Sequence, residues 1–429
     1  MKNVIQAVKG TRDFYPREMA IRTWLYRKVR EVSESFGYQE FEGPLLESID
    51  LYAAKSGEEL VKEQSFVFPD RGGDLLTLRP ELTPTLVRMV AQRQKQFTYP
   101  LRWWSFGPFW RYERPQKGRS REFFQWNIDL IGVATPEADA ELVAIMANLF
   151  RSLGLTPNEV KIFVNNRRLI DSELIELDIK PDQKLSVFRL IDRRGKLEPQ
   201  AWEAYGIDLG LTPTQMSGLI SLLDDQDLWR KSNELILFFD AIDALNVAEY
   251  IQYDPEVIRG LDYYTGTVYE GEAVAPEIRR SIAGGGRYDN LLADVGGDPL
   301  PGTGFAMGDM VINLLIEKYG LQPDRLESSP APVMVTIFDE NLLLESYKLA
   351  VELRQSGMNV ATYPIPDKLG KQLRYADRIG TQVAIVLGPD EIKASQVAVK
   401  NLTTRRQDNI PREKVVEHIT KMLAGVDSP

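Results

Sequence analysis

Residues Arg111 to Arg121 read RYERPQKGRSR, five basic side chains against one acid. Guanidinium forks bind phosphate oxygens bidentately, so a loop of this composition suits closure over a polyphosphate. On charge alone a solvated basic hairpin would look the same. The flanking residues separate the two readings. Leu101 to Tyr112 and Phe123 to Gly132 read as strands, with Arg111 ending the first. Positions 125, 127 and 129 then share one face at a period of two. A phosphate-binding arginine would thus face an amide, Gln125, and a carboxylate, Asp129, both suited to a small polar ligand.

Composition narrows the chemistry further. The chain has no cysteine, which excludes disulfides, thiolate metal sites and cysteine nucleophiles. His418 is the only histidine, on a helix predicted over Pro411 to Leu423, and reads as a surface residue. One histidine near the C-terminus argues against a hydrolytic triad and against histidine-rich metal sites. Chemistry is left to arginines, carboxylates and amides. The formal charge of −10 argues against a general nucleic-acid coat. Residues 331–429 carry +1 and the remainder −11, so the C-terminal part is the less repulsive toward phosphate.

The elements that must position these groups follow from periodicity. At 429 residues the chain predicts two or three domains, and 43% hydrophobic with 27% charged residues is a soluble, globular balance. No apolar run approaches the ~20 residues that span a bilayer, and Met1 to Thr11 lacks a signal core, so a cytoplasmic location with no membrane partner is expected. Ile21 to Phe36 predicts an amphipathic helix with Gly37 as its C-cap. Gln39 to Leu46 is predicted extended, and Pro44 sends it to an edge or interface. Ser65 to Leu78 predicts a hairpin turning at 70–74, Leu86 to Gln94 a helix, and Pro136 to Leu153 another. Residues 166–246 read as an inserted helical module, after which strands resume at Thr267 to Ala273 and Ser281 to Ala283. The polar, proline-bearing stretch Leu321 to Pro332 reads as a linker. Beyond it strands at Val333 to Phe338, Asn359 to Tyr363 and Val383 to Leu387 alternate with helices at Asn341 to Ser356 and Lys371 to Ile379. That alternation predicts an α/β domain with a mainly parallel sheet.

At this point a resemblance is specific. FWRYERP…GRSREFFQWNIDLIG resembles motif 2 of the class II aminoacyl-tRNA synthetases, and in detail the histidine-specific family. Thr77 to Thr83 resembles that family's amino-acid-binding turn. Arg259-Gly260-Leu261-Asp262-Tyr263-Tyr264-Thr265 and Gly285-Gly286-Arg287-Tyr288-Asp289 resemble its two signatures. The stretch around Pro44 resembles motif 1, a dimer interface in this class. The resemblance implies an α+β class II catalytic domain over 1–325, with an antiparallel sheet of six or seven strands and the helical insertion at about 166–246. It also implies an α/β anticodon-binding domain over 331–429, a homodimer, and L-histidine, ATP with Mg²⁺, and tRNA(His) as substrates. Without the resemblance, Gly284 to Gly286 would read as a tight turn or a nucleotide loop.

The resemblance also implies roles. Arg111 grips the α-phosphate, and Arg259 reaches both the histidine carboxylate and that phosphate. Glu81, Thr83 and Gln125 take the ammonium, while Asp129 and Tyr264 read the two imidazole nitrogens beside Tyr263. Asp129 is shorter than the family's usual Glu. Glu113 reads the adenine amino group and Phe123 stacks on the ring. Gln116 and Arg121 are candidates for the tRNA acceptor end. One departure stands out: Val311 occupies the motif 3 position where the class has an arginine for the γ-phosphate. Either Arg119, Arg121 or another cation takes over, or ATP binding is weakened. A catalytically silent histidine-binding paralogue, of the type that regulates ATP phosphoribosyltransferase, is the alternative reading.

Overall fold

A computed structural model describes residues 4–53, 63–116, 118–259, 263–275, 278–323 and 330–424. Lys117 of the basic loop, Gly260 to Asp262 of the first signature and half of the expected linker (324–329) lie outside the described residues. The chain divides into two compact units. One comprises Met1–Asp13 and Thr23–Gln322, the other Phe14–Arg22 and Pro323–Pro429.

The strands of the larger unit, in chain order, are β1 (Gln39–Glu40), β2 (Leu46–Ser48), β3 (Phe66–Pro69), β4 (Leu75–Leu78), β5 (Leu101–Trp110), β6 (Glu122–Ile131), β7 (Val160–Asn166), β8 (Ile251–Tyr253), β9 (Thr267–Ala273), β10 (Arg280–Tyr288) and β11 (Gly302–Gly308). Eight of them form one sheet in the order β1-β5-β6-β11-β10-β9-β7-β8. The six inner strands are antiparallel to their neighbours, and only the short edge strands β1 and β8 pair in parallel. The antiparallel sheet is therefore as the resemblance implied. Strands β7, β8 and β11 had no counterpart in the sequence reading. Pro44 lies in neither β1 nor β2 but between them, because its missing N–H cannot serve a ladder. The expected hairpin is β3-β4: Asp70 Oδ1 accepts from the N–H groups of Gly72 (2.7 Å) and Asp74 (3.0 Å), and Gly73 takes φ +96°.

Alternation gives the main sheet two distinct faces. Trp104 on β5 and Trp126, Ile128 and Leu130 on β6 point to a core shared with the helix Pro136–Ser152, whose Leu142, Val143, Met146, Leu149 and Phe150 are buried. Ser105, Asn127 and Asp129 point the other way. The helical insertion is legible in its caps: Asn166 accepts from the N–H groups of Arg168 and Leu169, Thr212 forms a capping box with Gln215, and Ser232 accepts from Leu235. The first helix begins at Pro16, earlier than periodicity suggested, since proline is tolerated in a first helical turn.

In the smaller unit β12 (Val333–Val335), β13 (Val360–Thr362), β14 (Val383–Val386), β15 (Gln396–Asn401) and β16 (Gln407–Pro411) form a sheet ordered β13-β12-β14-β15-β16. The expectation of a mainly parallel sheet is corrected to a mixed one. β12 pairs in parallel with β13 and β14, whereas β14-β15 and β15-β16 are antiparallel. The reason is connection length: residues 387–395 and 402–406 are too short for a crossover of a dozen residues or more. His418 is half-buried rather than on the open surface, with Nε2 shielded and unpaired.

Candidate active site

The polar face of the larger sheet opens into a cavity of about 270 Å³. It is lined by Glu81 and Thr83 from the turn after β4, by Arg111, Glu113, Arg119 and Phe123 around the basic loop, and by Gln125, Asn127 and Asp129 on β6. Arg259, Tyr263 and Tyr264, the glycine-bearing parts of β10 and β11, and Val311 complete the lining. Eleven of the residues singled out from sequence for a substrate role thus line one cavity. Gln116 and Arg121 do not. Gln116 and Arg119 exchange backbone hydrogen bonds of 3.0 and 2.8 Å, while the Arg121 guanidinium stacks 4.2 Å above Tyr112 and donates to the Glu113 carbonyl.

Each arginine has a defined support. The Arg111 Nε–H donates to the Pro80 carbonyl at 3.0 Å, and its guanidinium lies 5.5 Å above the Phe123 ring. Arg79 beneath it is fully buried, donates to Glu42 and to the Pro108 carbonyl, and so fixes the 79–83 turn against β5. Arg259 adopts φ +61°, a left-handed conformation that costs a non-glycine residue about 1 kcal/mol or more. Arg167 holds that geometry. It donates to the carbonyls of Ile258 (3.1 Å), Arg259 (2.7 Å) and Tyr264 (3.0 Å), so one buried side chain fastens described backbone at both ends of the 259–265 signature. Nothing in the sequence pattern singled out Arg167.

Burial works against the Arg259 charge, but Glu270 at 3.2 Å and the two tyrosines more than offset it and raise its pKa. The guanidinium crosses β10 directly above Gly284, where any Cβ would overlap it. The triple glycine is therefore neither turn nor nucleotide loop. It lies mid-strand, and the missing side chains admit Arg259 at Gly284, the β11 backbone at Gly285, and the Tyr264 ring at Gly286.

Asp129 sits at the other end of the cavity, 4% exposed, above Gly304. Tyr288 donates to its Oδ1 at 2.7 Å. Burial pushes its carboxyl up to about 7, and the Tyr288 hydrogen bond only partly counters this. The second signature is thereby explained residue by residue. Arg287 pairs with buried Asp139 at 2.9 Å and caps the Val133 and Thr135 carbonyls. Tyr288 orients Asp129, and Asp289 accepts from Thr265 and Arg168. Tyr263 is hydrogen-bonded to Thr83 and Tyr264, and burial raises its hydroxyl far above the ordinary range.

The Val311 side of the cavity has no arginine in its first helical turn. Asp309 there is committed to Arg12 (2.8 Å) and to the Phe124 N–H (2.9 Å). Among the described residues Arg119 is the loop cation on the lining, and it pairs with Glu113 at 3.2 Å. Arg280 packs against Gly118 beside Leu314, one helical turn beyond Val311.

Comparison with known proteins agrees with this geometry. Residues 10–310 match the Histidyl-tRNA synthetase family, and residues 332–422 match an anticodon binding domain. Histidine–tRNA ligases of Leptospira biflexa (34% identity, 97% of each chain) and Halobacterium salinarum (36%, covering 94% of this chain and 95% of the relative) align over nearly the whole length. The crystal structure of histidyl-tRNA synthetase from Nostoc sp. PCC 7120 superposes with a TM-score of 0.83 at 25% identity, covering 98% of this chain and all of that one. A Bacillus halodurans structure titled as an ATP phosphoribosyltransferase regulatory subunit/histidyl-tRNA synthetase shares the fold, with a TM-score of 0.72 at 23% identity, covering 87% of this chain and 97% of that one. A cavity that joins half-buried arginines to a carboxylate-and-tyrosine end, and a match over residues 10–310, lead to one conclusion: the chain belongs to the histidyl-tRNA synthetase family.

Proposed function

We infer that the protein is a histidine–tRNA ligase, which activates L-histidine with ATP and transfers it to tRNA(His). The observation that carries this reading is the convergence of Arg111, Arg259, Gln125 and Asp129 on one cavity in a chain matched by ligases along its length. A histidine carboxylate oxygen attacks the α-phosphorus of ATP in line. The new P–O bond forms as the bond to the bridging oxygen breaks, and pyrophosphate leaves. Positioning and charge neutralisation dominate such a step. Arg111 holds the α-phosphate, and Arg259 bridges that phosphate and the attacking carboxylate, its charge secured by Glu270. Glu81, Thr83 and Gln125 accept from the ammonium, and the unpaired buried Gln125 Oε1 supports that role. Glu113 and Phe123 take the adenine.

Arg119, on the lining, takes the γ-phosphate in place of the missing motif 3 arginine. Among the described residues no cluster of three His, Asp or Glu side chains is placed to hold a metal ion, so Mg²⁺ would arrive on the ATP phosphates. Gln116 and Arg121, outside the cavity, are left to the tRNA acceptor end. The 331–429 domain binds the tRNA.

The apolar residues Leu45, Leu46, Val67, Phe68 and Leu75, all at least 40% exposed on or beside the β2-β4-β3 sheet, support a homodimer through that sheet. No described helix is long and apolar enough to cross a membrane, and a cytoplasmic location goes with the substrates.

Val311 is the one observation that favours a silent, histidine-binding regulator. The two readings separate on ATP–pyrophosphate exchange. The ligase reading expects exchange that depends on histidine and falls about 1,000-fold in Arg259→Ala. Histidine binding without exchange would select the regulator.

A further inference from the structure

Residues 8–12, ahead of the first helix, lie against the returning stem of the basic loop. Val8 to Thr11 form a tight turn, in which the Thr11 N–H (2.9 Å) and hydroxyl (2.7 Å) both donate to the Val8 carbonyl. Gly10, third in that turn, takes φ +87°, a conformation that favours glycine. Its carbonyl is thereby aimed at residues 120–122. It accepts from the Ser120 hydroxyl (2.6 Å) and from the N–H groups of Arg121 and Glu122 (both 2.9 Å). A Cβ on Gly10 would overlap the aliphatic stem of Arg121.

Arg12 fastens the far side of the turn. Its N–H donates to the Glu122 carboxylate at 3.4 Å, and its guanidinium pairs with Asp309 at 2.8 Å. Asp309 is 3% exposed, and its other oxygen accepts from the Phe124 N–H at 2.9 Å. The N-terminal segment, β6 and the first turn of the helix Asp309–Lys318 are thus joined at one carboxylate. That same turn carries Val311.

We propose that residues 10–12 are a strap and that Arg12 is a positioning residue, seating the stem of the basic loop so that Arg119 meets the terminal phosphate of ATP; this rests on the ligase reading. With no arginine at position 311, charge for that phosphate has to come from a loop side chain. A loop cation gives its full binding energy only if the loop is already held, since ordering it on binding costs part of that energy. Arg119 directly precedes the three residues that the Gly10 carbonyl holds. Arg111 has its own support at the Pro80 carbonyl, so the α-phosphate end does not depend on the strap. The strap therefore acts on the outer phosphates, and not on histidine or on the AMP part of the nucleotide.

The test is ATP–pyrophosphate exchange by the full-length protein, with AMP as a competitor of ATP. R12A alone strands a buried carboxylate, so the main probe is the double variant R12A/D309N. It removes both charges, and the new amide oxygen still accepts from the Phe124 N–H. The double variant and G10A should each raise the KM for ATP about tenfold, with the KM for histidine and the Ki of AMP changed less than about twofold. R12K keeps the ion pair and should stay within about threefold of wild type. In an Arg119→Ala background the double variant should add less than about twofold, because both changes act on one contact. An unchanged KM for ATP in the double variant would overturn the proposal. So would a parallel rise of all three constants, which marks a merely structural role, an R12K as impaired as the double variant, or a full tenfold effect without Arg119. If G10A does not fold, the double variant and R12K decide. Wild type without histidine-dependent exchange would instead sink the ligase reading itself.

Discussion

Replacing Asp129 by Asn should make the protein more stable while it loses histidine. The folded-state carboxyl titrates at about 7 against an ordinary 3.8, because burial disfavours its charge. Between those values the folded state binds more protons than the unfolded one, so stability falls as pH rises through the window. Above pH 7 the full cost is present, and below about pH 4 none of it is. At 1.36 kcal/mol per pH unit, a span of about 3 units gives about 4 kcal/mol at pH 8, and about 2 kcal/mol at pH 5. Asn keeps an oxygen for the Tyr288 hydroxyl and carries no charge to desolvate. The weaker neutral hydrogen bond offsets the gain by about 1 kcal/mol. The variant should therefore be about 3 kcal/mol more stable than wild type at pH 8 and about 1 kcal/mol more stable at pH 5. Urea unfolding followed by tryptophan fluorescence measures this, since Trp104 and Trp126 are both fully buried in the same core. A gain of equal size at both pH values, or a loss at pH 8, would refute the reasoning.

Other outcomes follow from the same geometry. The histidine kcat/KM of wild type should fall as pH drops through about 7, when Asp129 becomes protonated; a steady-state pH profile showing no break there beyond the substrate's own titration would count against the assignment. Gly284→Ala forces the Arg259 guanidinium off β10 and should cut exchange about 100-fold with the fold intact by circular dichroism. Arg167→Ala strands three carbonyls around the signature and should lower both stability, by about 3 kcal/mol, and exchange kcat, by tenfold or more. Arg119→Ala should raise the KM for ATP about tenfold and leave that for histidine unchanged, measured by varying each substrate in turn.

Much of the site was legible because β5 and β6 follow a simple alternation. Gln125, Asn127 and Asp129 fall on one face by period alone, and the loop between the strands announces itself by charge. The helical insertion was legible as a helix-rich stretch with few strand signals. What could not be read depended on distant partners. β11, GTGFAMG, has almost no intrinsic strand preference and exists because β6 and β10 flank it. Gly284 read as part of a tight turn or nucleotide loop and Gly304 carried no reading of its own, yet each is required by a side chain that arrives from elsewhere, Arg259 and Asp129 respectively. Arg167 looked like an ordinary helix residue, because its three acceptors lie some ninety residues away in sequence. β15 and β16 escaped because a hairpin of short, half-polar strands lacks the hydrophobic runs that marked β12 and β14.

The most direct test of the whole account is aminoacylation by the purified wild-type protein, with radiolabelled histidine, ATP and a tRNA(His) transcript. The account predicts histidine esterified to the tRNA at a rate that depends on ATP and is lost in Arg259→Ala. Bound histidine with no ATP-dependent charging, despite Arg111, Arg259 and Asp129 lining the same cavity, would contradict it.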